Sequence, residues 1–186
     1  LGCGSRGSKL ASHAARSGQE IAAVSDHGFL RPHNMARHAL GPGHVAGHKA
    51  EALAKELSGF DLAPTTFKND LSLGLRDAAS RAQILPSKAA IGVNTTASLA
   101  VREALVAAAT AKLKHRLFEV ALFGRGRGGL ILGDGHRHNP SHADLMAELY
   151  ATLDQAMEAD LLFGRGEGLT TVQIGQGCGS LTMTMS

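Results

Sequence analysis

Apolar residues recur at helical spacing in five segments of the chain. In the clearest of these, residues 48–58, apolar positions fall at i, i+3, i+4 and i+7, and Gly59 follows as a helix end. The same spacing predicts helices over 8–17, 71–82 and 98–109 and a last helix that begins at Asn139. One helical turn is also expected near 34–39, within a long irregular connection. The segments between the helices predict strands over 20–25, 60–67, 89–93, 116–123 and 129–132, and those at 20–25 and 89–93 are expected to be buried.

Strands and helices alternate over residues 1–110, which favours a parallel sheet. We therefore expect an α/β fold: a Rossmann-like, mostly parallel sheet with helices on both faces, followed by a less regular part with antiparallel strands. The first domain is expected to span 1–135, and residues 136–186 either extend it or begin another. The chain opens inside a glycine motif and closes on a strand-like alternation at 181–185, so we expect a fragment of a longer protein.

Composition excludes several classes of protein. Of 186 residues, 44% are apolar, enough to bury a core, which excludes disorder for most of the chain. No apolar run reaches the roughly 18 residues of a membrane span, and no charged-then-apolar segment opens the sequence, so we expect neither a membrane span nor a secretory peptide. The net charge of +3 is too small to indicate a nucleic-acid partner. Cys3 and Cys178 form no C-x-x-C pair, so we expect neither zinc nor a disulfide framework, and a cytoplasmic location.

A glycine motif opens the chain. Gly2-x-Gly4-x-x-Gly7 leads into the first predicted helix, and Asp26 ends the next predicted strand. Glycines let the backbone approach phosphates, and the N–H groups and dipole of a helix N-terminus attract negative charge. A carboxylate after the second strand accepts the ribose hydroxyls. The pattern predicts a nucleotide site; by itself it also fits NAD or FAD, or a packing loop without a ligand.

Three further motifs follow in order: Val24-Ser-Asp26, then Arg31-Pro-His-Asn34-Met-Ala-Arg37-His38, then Gly47-His-Lys49-Ala50. With the glycines, they resemble the ThiF/MoeB/HesA family of adenylylating enzymes, which are related to ubiquitin-activating enzymes. The pattern of that family is G-x-G-x-x-G, D-x-D, N-x-x-R and G-x-x-K at similar separations. The resemblance is strong over 1–58, continues through 94–98 and Val101-Arg102, and fades beyond about residue 135.

The resemblance implies a reaction in which a C-terminal carboxylate attacks the α-phosphate of ATP and gives an acyl-adenylate and pyrophosphate. It assigns Asp26 to the ribose, and Asn34 and Arg37 to the phosphates. Lys49 would contact phosphate near the reacting centre, so Arg37 and Lys49 are the expected catalytic residues. Their charge suits the chemistry, because the carboxylate and the phosphates are both anionic. Taken singly, each cation is also compatible with an ordinary surface position.

The resemblance also implies cofactors and partners. ATP is the expected nucleotide, with Mg²⁺ bound by ligands that the sequence does not define. The expected partner is the C-terminus of a ubiquitin-like protein or of a peptide. Conjugating-enzyme-like and JAB-like proteins or fused domains, and a second copy in a homodimer, are further expected partners; nucleic acid and membrane are not.

Three departures from the family pattern weaken the expected metal site. Gly28 stands in place of the second acid of D-x-D, and Ala97 in place of the aspartate of a later T-D-N-like motif. Asn94 stands where many members have another aspartate, and an amide lacks the charge that a cation prefers. The C-x-x-C zinc pairs of many members are missing as well. No residue is therefore assigned to a metal.

Several weaker signals accompany these motifs. The glycine-arginine stretch at 124–129 is compatible with a cationic substrate loop, although a glycine hairpin is favoured. His136, His138 and His142 with Asp134 and Asp144 suggest a metal cluster, although a polar loop is favoured because the spacing matches no ligand pattern. Glycine-flanked Cys178 suggests a thioester-forming residue, although an incidental cysteine is favoured. The pentapeptide Leu-Phe-Gly-Arg-Gly at 122–126 and 162–166 is too short to indicate duplication.

Three functions remain open on the sequence. The first is ATP-dependent adenylylation of a ubiquitin-like protein or peptide C-terminus. The second is a catalytically weakened domain that binds nucleotide or a ubiquitin-like partner, which the missing acids at 28 and 97 favour. The third is a fragment of an NAD- or FAD-dependent oxidoreductase, against which Arg37 and Lys49 argue, since a dinucleotide site needs neither at these spacings.

Overall fold

The computed structural model describes residues 1–110, 113–123, 128–152, 170–174 and 181–185. The helices are α1 (Ser5–Arg16), α2 (Lys49–Leu57), α3 (Leu71–Gly74), α4 (Ala78–Ile84), α5 (Leu99–Thr110) and α6 (His142–Thr152). The strands are β1 (Ala23–Ser25), β2 (Thr65–Phe67), β3 (Ile91–Asn94), β4 (Arg116–Phe123), β5 (Gly128–Gly133), β6 (Thr170–Ile174) and β7 (Leu181–Met185). Within these described ranges, 3-10 turns lie at Pro32–Asn34, Pro42–His44, Ser58–Phe60 and His136–His138.

The first two residues join two groups of strands edge to edge. β1 pairs in parallel with β2, β3 pairs in parallel with β4, and β5 returns antiparallel to β4. Leu1 donates its N–H to the carbonyl of Val93 and accepts from the N–H of Thr95, while Gly2 donates to the carbonyl of Ser25. The strand order is therefore β2, β1, residues 1–2, β3, β4, β5. This arrangement confirms the predicted α/β class with a parallel sheet and a partly antiparallel second part.

Two buried clusters lie on opposite faces of this sheet. One contains Val24 of β1 and packs against α1 and α2 through residues such as Ala15, Leu53 and Leu57. The other contains Phe67 of β2 and packs against α3, α4 and α5. Phe67 is in register with Ser25, the residue after Val24, and consecutive strand residues point to opposite faces. The helices thus cover both faces of β1 and β2, as the sequence predicts.

The prediction of one continuous helix over 71–82 is wrong. The segment divides into α3 and α4, because two aspartates act as helix N-caps. Asp70 accepts hydrogen bonds from the backbone N–H groups of Ser72 and Leu73, and Asp77 accepts from Ser80. An N-cap side chain satisfies N–H groups that have no partner within the helix, so each aspartate starts a new helix.

The last described strands form a separate antiparallel pair. β6 pairs with β7, with Thr170 opposite Met185 and Ile174 opposite Leu181. The strand predicted at 181–185 is confirmed, and β6 was not predicted. Of the other sequence-based interpretations, residues 124–127 of the glycine-arginine stretch, Cys178 and most of the pentapeptide pair lie outside the described residues. Among those that are described, no helix combines the length and apolar character needed to cross a bilayer.

Candidate functional site

The three glycines of the opening loop differ in why the structure needs glycine at their positions. Gly2 has φ +84°, and a Cβ there would lie 2.9 Å from Cγ2 of Thr96. At Gly7, a Cβ would lie 1.8 Å from the carbonyl oxygen of Gly2, so no side chain fits. Gly4 has no heavy atom within 4 Å of its Cβ position. Two glycines are thus required by packing, whereas Gly4 leaves an open approach to the backbone.

This open approach faces the start of α1. Gly4 is the N-cap residue of α1, no side chain caps the helix, and its first turn contains no acidic residue. The first N–H groups of a helix lack partners within it and carry the positive end of the helix dipole. The 12-residue helix therefore offers backbone donors to an anion at the point where the loop leaves room for one.

Asp26 lies beside this loop at the end of β1. Its Oδ2 accepts the N–H of Cys3 at 2.7 Å, and its Oδ1 accepts the N–H of Gly28 at 2.7 Å. A carboxylate oxygen accepts more than one hydrogen bond, so both oxygens keep capacity for further donors. The acid is only partly buried, which leaves it accessible to such donors.

Lys49, the first residue of α2, reaches the same place from the other side. A Cβ on Gly28 would lie 3.1 Å from Oδ1 of Asp26 and 3.2 Å from Nζ of Lys49. The missing side chain at position 28 therefore leaves room for the lysine beside the aspartate. The backbone holds α2 there, because the N–H of Lys49 donates to the carbonyl of Gly28 at 2.9 Å. Glycine in place of the second acid of D-x-D thus leaves the space that the Lys49 side chain uses.

Asn34 and Arg37 lie on the connection between β1 and α2. Asn34 is 3% exposed, and its Oδ1 accepts the N–H of Arg31 at 3.0 Å, which closes the 3-10 turn. The side chain of Arg37 is exposed, while its carbonyl accepts the hydroxyl of Ser5 from the first turn of α1. The structure thus brings Arg37 to the start of α1 and uses the Asn34 oxygen within its own turn.

His38 is a site residue that sequence reasoning missed. It is buried, its Nε2 lies 2.7 Å from the carbonyl of Cys3, and its Nδ1 accepts the N–H of Leu40. Because the carbonyl only accepts, Nε2 carries the proton and the ring is neutral. Burial lowers the pKa of His38, the largest contribution, while the bond to Cys3 opposes this. The ring therefore ties the glycine loop to the connection after β1.

Cys3, inside the loop, is unsuited to nucleophilic chemistry. Its side chain is 3% exposed, and burial, with a smaller contribution from the Asp26 charge, raises the pKa of the thiol to about 12. A thiolate, not a thiol, is the reactive form of cysteine. Cys3 therefore serves as a small buried side chain.

The end of β3 forms the other side of the loop. The hydroxyl of Thr95 donates to the carbonyl of Gly2 at 2.7 Å, a contact that the motif pattern did not indicate. Oδ1 of Asn94 accepts the N–H and hydroxyl of Thr96, while its buried Nδ2 has no hydrogen-bond partner among the residues that the structure describes. Ala97 adopts φ +55° and supplies no oxygen from its side chain.

These residues do not fit a protein-bound magnesium ion. The Asn94 oxygen is occupied by Thr96, its free atom is a donor rather than an acceptor, and Ala97 has no ligand atom. Magnesium prefers carboxylate and other oxygen ligands. Over the described ranges, no group of three or more His, Cys, Asp or Glu residues is arranged to hold a metal.

Two polar side-chain pairs near the sheet are internal to the fold. Arg102 of α5 holds the carboxylate of Glu119 through Nε and a terminal nitrogen at 2.5–3.0 Å, and Glu119 is 2% exposed. Nδ1 of His138 pairs with Oδ2 of buried Asp134, whose Oδ1 accepts the N–H of Leu117. Both carboxylates are therefore engaged within the protein, the second in the polar loop that the sequence favours over a metal cluster.

Solved structures share this fold. PaaA matches with a TM-score of 0.54 and 19% sequence identity, over 66% of this chain and 36% of PaaA. E. coli MccB solved with ATP matches with a TM-score of 0.57 and 16% identity, over 87% of this chain and 49% of MccB. MccB solved with AMPCPP and MccA gives 0.55 and 15% over the same shares. The chain thus has the Rossmann-like fold of these proteins and spans half their length or less.

The likeness is one of structure. No family model matches the chain, and no curated protein matches its sequence.

Proposed function

We propose that the chain adenylylates the C-terminal carboxylate of a peptide or of a ubiquitin-like protein with ATP. The observation that carries the proposal is the convergence of three groups: the open turn at Gly4, the Asp26 carboxylate and the Lys49 ammonium. The similarity to MccB, which was solved with ATP and with AMPCPP and MccA, supports it.

In this proposal, each group meets a different part of ATP. The N–H groups at the start of α1 bind phosphate oxygens, for which Gly4 leaves the approach open. Asp26 accepts the ribose hydroxyls with the capacity that its bonds to Cys3 and Gly28 leave. Lys49 and Arg37 neutralise the triphosphate, the lysine as a point charge and the arginine as a planar fork.

The reaction transfers one adenylyl group from ATP to the substrate carboxylate. An oxygen of the substrate carboxylate attacks the α-phosphorus, a new P–O bond forms, and the bond to the bridging oxygen of the β-phosphate breaks. Pyrophosphate leaves with that electron pair, and the acyl-adenylate remains. Negative charge grows on the α-phosphate and on the leaving oxygens, so a cation placed before the reaction, such as Lys49, lowers the barrier. No step is assigned to a protein-bound metal.

The proposed partners follow from the same reaction. A protein or peptide with a free, extended C-terminus is the acyl donor, a second copy of the chain forms a homodimer, and the reaction takes place in the cytoplasm. Conjugating-enzyme-like and JAB-like proteins, or fused domains of these kinds, are further proposed partners.

A second candidate function is a domain that binds nucleotide with little or no turnover. The end of β3 favours it, because Asn94 and Ala97 offer no charge near the phosphates. An oxidoreductase function is the least favoured, since a dinucleotide site needs neither Lys49 nor Arg37 at these spacings.

Thermal-shift titration with ATP and with NAD separates these functions. ATP is expected to raise the Tm and NAD to leave it unchanged, and the reverse would reject adenylylation in favour of an oxidoreductase. Exchange of labelled pyrophosphate into ATP, in the presence of free-acid peptides, then separates catalysis from binding. ATP protection without any exchange would favour the non-catalytic domain.

The cations are tested with matched controls. Removal of a charge-assisted hydrogen bond costs about 1.5–3 kcal/mol, so Lys49→Ala is expected to weaken ATP binding about 10- to 100-fold. Lys55→Ala, in the last turn of the same helix, is expected to change nothing. Arg37→Ala is compared in the same way with Arg16→Ala at the end of α1. Equal effects of a test variant and its control would reject the assigned role.

A further inference from the structure

A short two-stranded ribbon leads away from Lys49. The N–H of Lys49 donates to the carbonyl of Gly28, the N–H of Leu30 to Gly47, and the N–H of Ala46 to Leu30. Phe29 and His48 face each other in an antiparallel bridge between these bonds. The ribbon therefore starts at the proposed reacting centre and runs outward along residues 28–31 and 46–49.

The outer edge of this ribbon is open at Phe29. Phe29 and His48 form a non-hydrogen-bonded antiparallel pair. In such a pair, the N–H and C=O groups of both residues point away from the partner strand. Accordingly, neither backbone group of Phe29 has a hydrogen-bond partner in the part of the chain that the structure describes. An extended peptide binds to an edge of this kind through its main chain.

The Phe29 side chain is held at the surface. It is 50% exposed, although its neighbour Leu30 is fully buried, and it packs against the His48 ring with centroids 4.0 Å apart. Beside it lies a recess of about 350 Å³ lined by Phe29, Leu30, Arg31, Pro32, Val45 and Ala46. The recess is open to solvent over most of its surface and is not an enclosed cavity.

Charge around the ribbon favours an anionic occupant. Residues 27–50 contain two arginines, one lysine and five histidines, but no aspartate or glutamate. The one charged side chain that lines the recess is Arg31. A peptide with a free C-terminal carboxylate is attracted to such a surface, while a basic side chain in the recess is repelled.

We propose that the substrate peptide pairs with the open edge at Phe29 and places an apolar side chain in the recess. This inference rests on the proposed function for the position of the carboxylate. An extended chain advances about 3.3 Å per residue, and the recess begins within three residues of Gly28. The side chain in the recess therefore belongs to the second or third residue before the C-terminus, and the recess selects peptides by that residue.

The test uses the whole chain and two free-acid hexapeptides that carry either Leu or Lys at both the second and the third residue before the C-terminus, with Gly elsewhere. In pyrophosphate exchange at saturating ATP, the KM for the Leu peptide is expected to be about tenfold lower than that for the Lys peptide. Phe29→Ala is expected to remove this preference without changing the KM for ATP, and Phe29→Leu to restore most of it. Phe60→Ala, which truncates another exposed phenylalanine, is the matched control.

The backbone pairing is tested separately. N-methylation of the Leu peptide at its edge-pairing residues removes main-chain donors and is expected to raise its KM about tenfold. An unchanged KM would reject the edge pairing. The proposed role of the recess would be rejected if Phe29→Ala kept the preference for Leu. It would also be rejected if Phe29→Ala raised the KM for ATP together with the KM for the peptide.

Anisotropy of the same peptides, labelled with fluorescein at the N-terminus and measured without ATP, keeps the two proposals apart. Tighter binding of the Leu peptide that is lost in Phe29→Ala supports the recess even if no peptide gives exchange, in which case only adenylylation fails. Equal binding of both peptides, or no binding of either, rejects the recess whatever the exchange assay shows.

Discussion

The carboxyl ends of β1 and β3 lie at the same edge of the sheet, on either side of residues 1–2, and they differ in what they offer a nucleotide. At the end of β1, the Asp26 carboxylate accepts two backbone N–H groups and lies beside Lys49. At the end of β3, the Asn94 oxygen is used within its own turn and Ala97 has no polar side chain. The first end has groups for binding; the second has no free charge.

This difference separates binding from turnover. The residues that would hold the ribose and the phosphates belong to the loop, β1 and α2, and depend on packing that the structure shows in full. The residues that would stabilise growing charge from the β3 side are uncharged. Interactions that strengthen only in the transition state raise the rate, so their loss lowers turnover more than affinity. We therefore expect a chain that binds ATP better than it uses it.

The largest effect is expected at the glycine loop. Gly7→Ala places a Cβ 1.8 Å from the Gly2 carbonyl, so the loop cannot keep its shape. We expect a loss of about 3 kcal/mol of unfolding free energy and about a hundredfold loss of ATP affinity. Gly4→Ala meets no atom within 4 Å and is expected to keep the stability while it weakens ATP about tenfold. Denaturation and ATP titration measure both; an unchanged ATP affinity in Gly4→Ala would show that the open turn is not the phosphate site.

The next largest effect is expected for substitution of Glu119, which tests whether this residue belongs to the site at the end of β3. It lies opposite Asn94 in the β3–β4 register, and Arg102 occupies both of its oxygens. Glu119→Gln leaves the guanidinium without its counter-charge and is expected to cost about 3 kcal/mol of stability with no change in ATP affinity. The double variant Glu119→Leu with Arg102→Met, which replaces both charges by apolar side chains, should recover much of that loss. A fall in ATP affinity at constant stability would instead place Glu119 at the nucleotide.

Long sequence patterns predicted their strands and helices correctly. Boundaries between elements were missed where a single side chain, such as a helix cap, sets them. The strand at 116–123 was predicted with its observed ends, because eight residues keep a strand pattern. The break between α3 and α4 was missed, because a cap depends on where an aspartate side chain points. β1 is only three residues long, since it is paired only where Thr65–Phe67 lies alongside it.

The sequence predicted several residues of the candidate site but not the side-chain contacts that join them. Motif spacing predicted that Asp26 and the glycines lie together, since both follow neighbouring strands of a parallel sheet. The contact of His38 with Cys3 joins residues 35 positions apart, and no local period records such a contact. The side chain of Asn34 illustrates the opposite case, because its residue type matched a phosphate motif while its oxygen closes a turn.

A third prediction sharpens the contrast by adding charge to the end of β3. Ala97 has φ +55°, a region that Asp and Asn adopt more readily than Ala, so neither replacement adds backbone strain. Ala97→Asp is expected to raise magnesium-dependent pyrophosphate exchange about tenfold, because a carboxylate supplies a cation ligand near the phosphates. Ala97→Asn has the same shape without the charge and should leave exchange as it is. Strong exchange that is equal in the natural chain, Ala97→Asp and Ala97→Asn would refute the idea that missing charge at the end of β3 limits turnover.

The smallest expected effect concerns His38 and the pH dependence of stability. Burial lowers the pKa of His38 in the folded protein, and the unperturbed value is about 6.5. Between these two values the unfolded chain binds more protons than the folded one, so the unfolding free energy falls as the pH falls below about 6.5. Above that pH the neutral ring keeps its bonds to Cys3 and Leu40, and this contribution is constant.

The measurement compares the natural chain with His38→Gln by denaturation at several pH values between about 5 and 8. Glutamine donates to the Cys3 carbonyl but does not titrate, so the difference in unfolding free energy between the two proteins should shrink as the pH falls below about 6.5. His13→Gln, which replaces an exposed histidine on α1, should keep the full pH dependence of the natural chain. The native ring is protonated only below its lowered pKa, where it would place a second donor opposite the N–H of Leu40, so ATP affinity should fall at a lower pH than the pH at which the stability begins to fall. An identical pH profile for the natural chain and His38→Gln would show that this ring does not link the loop to the connection after β1.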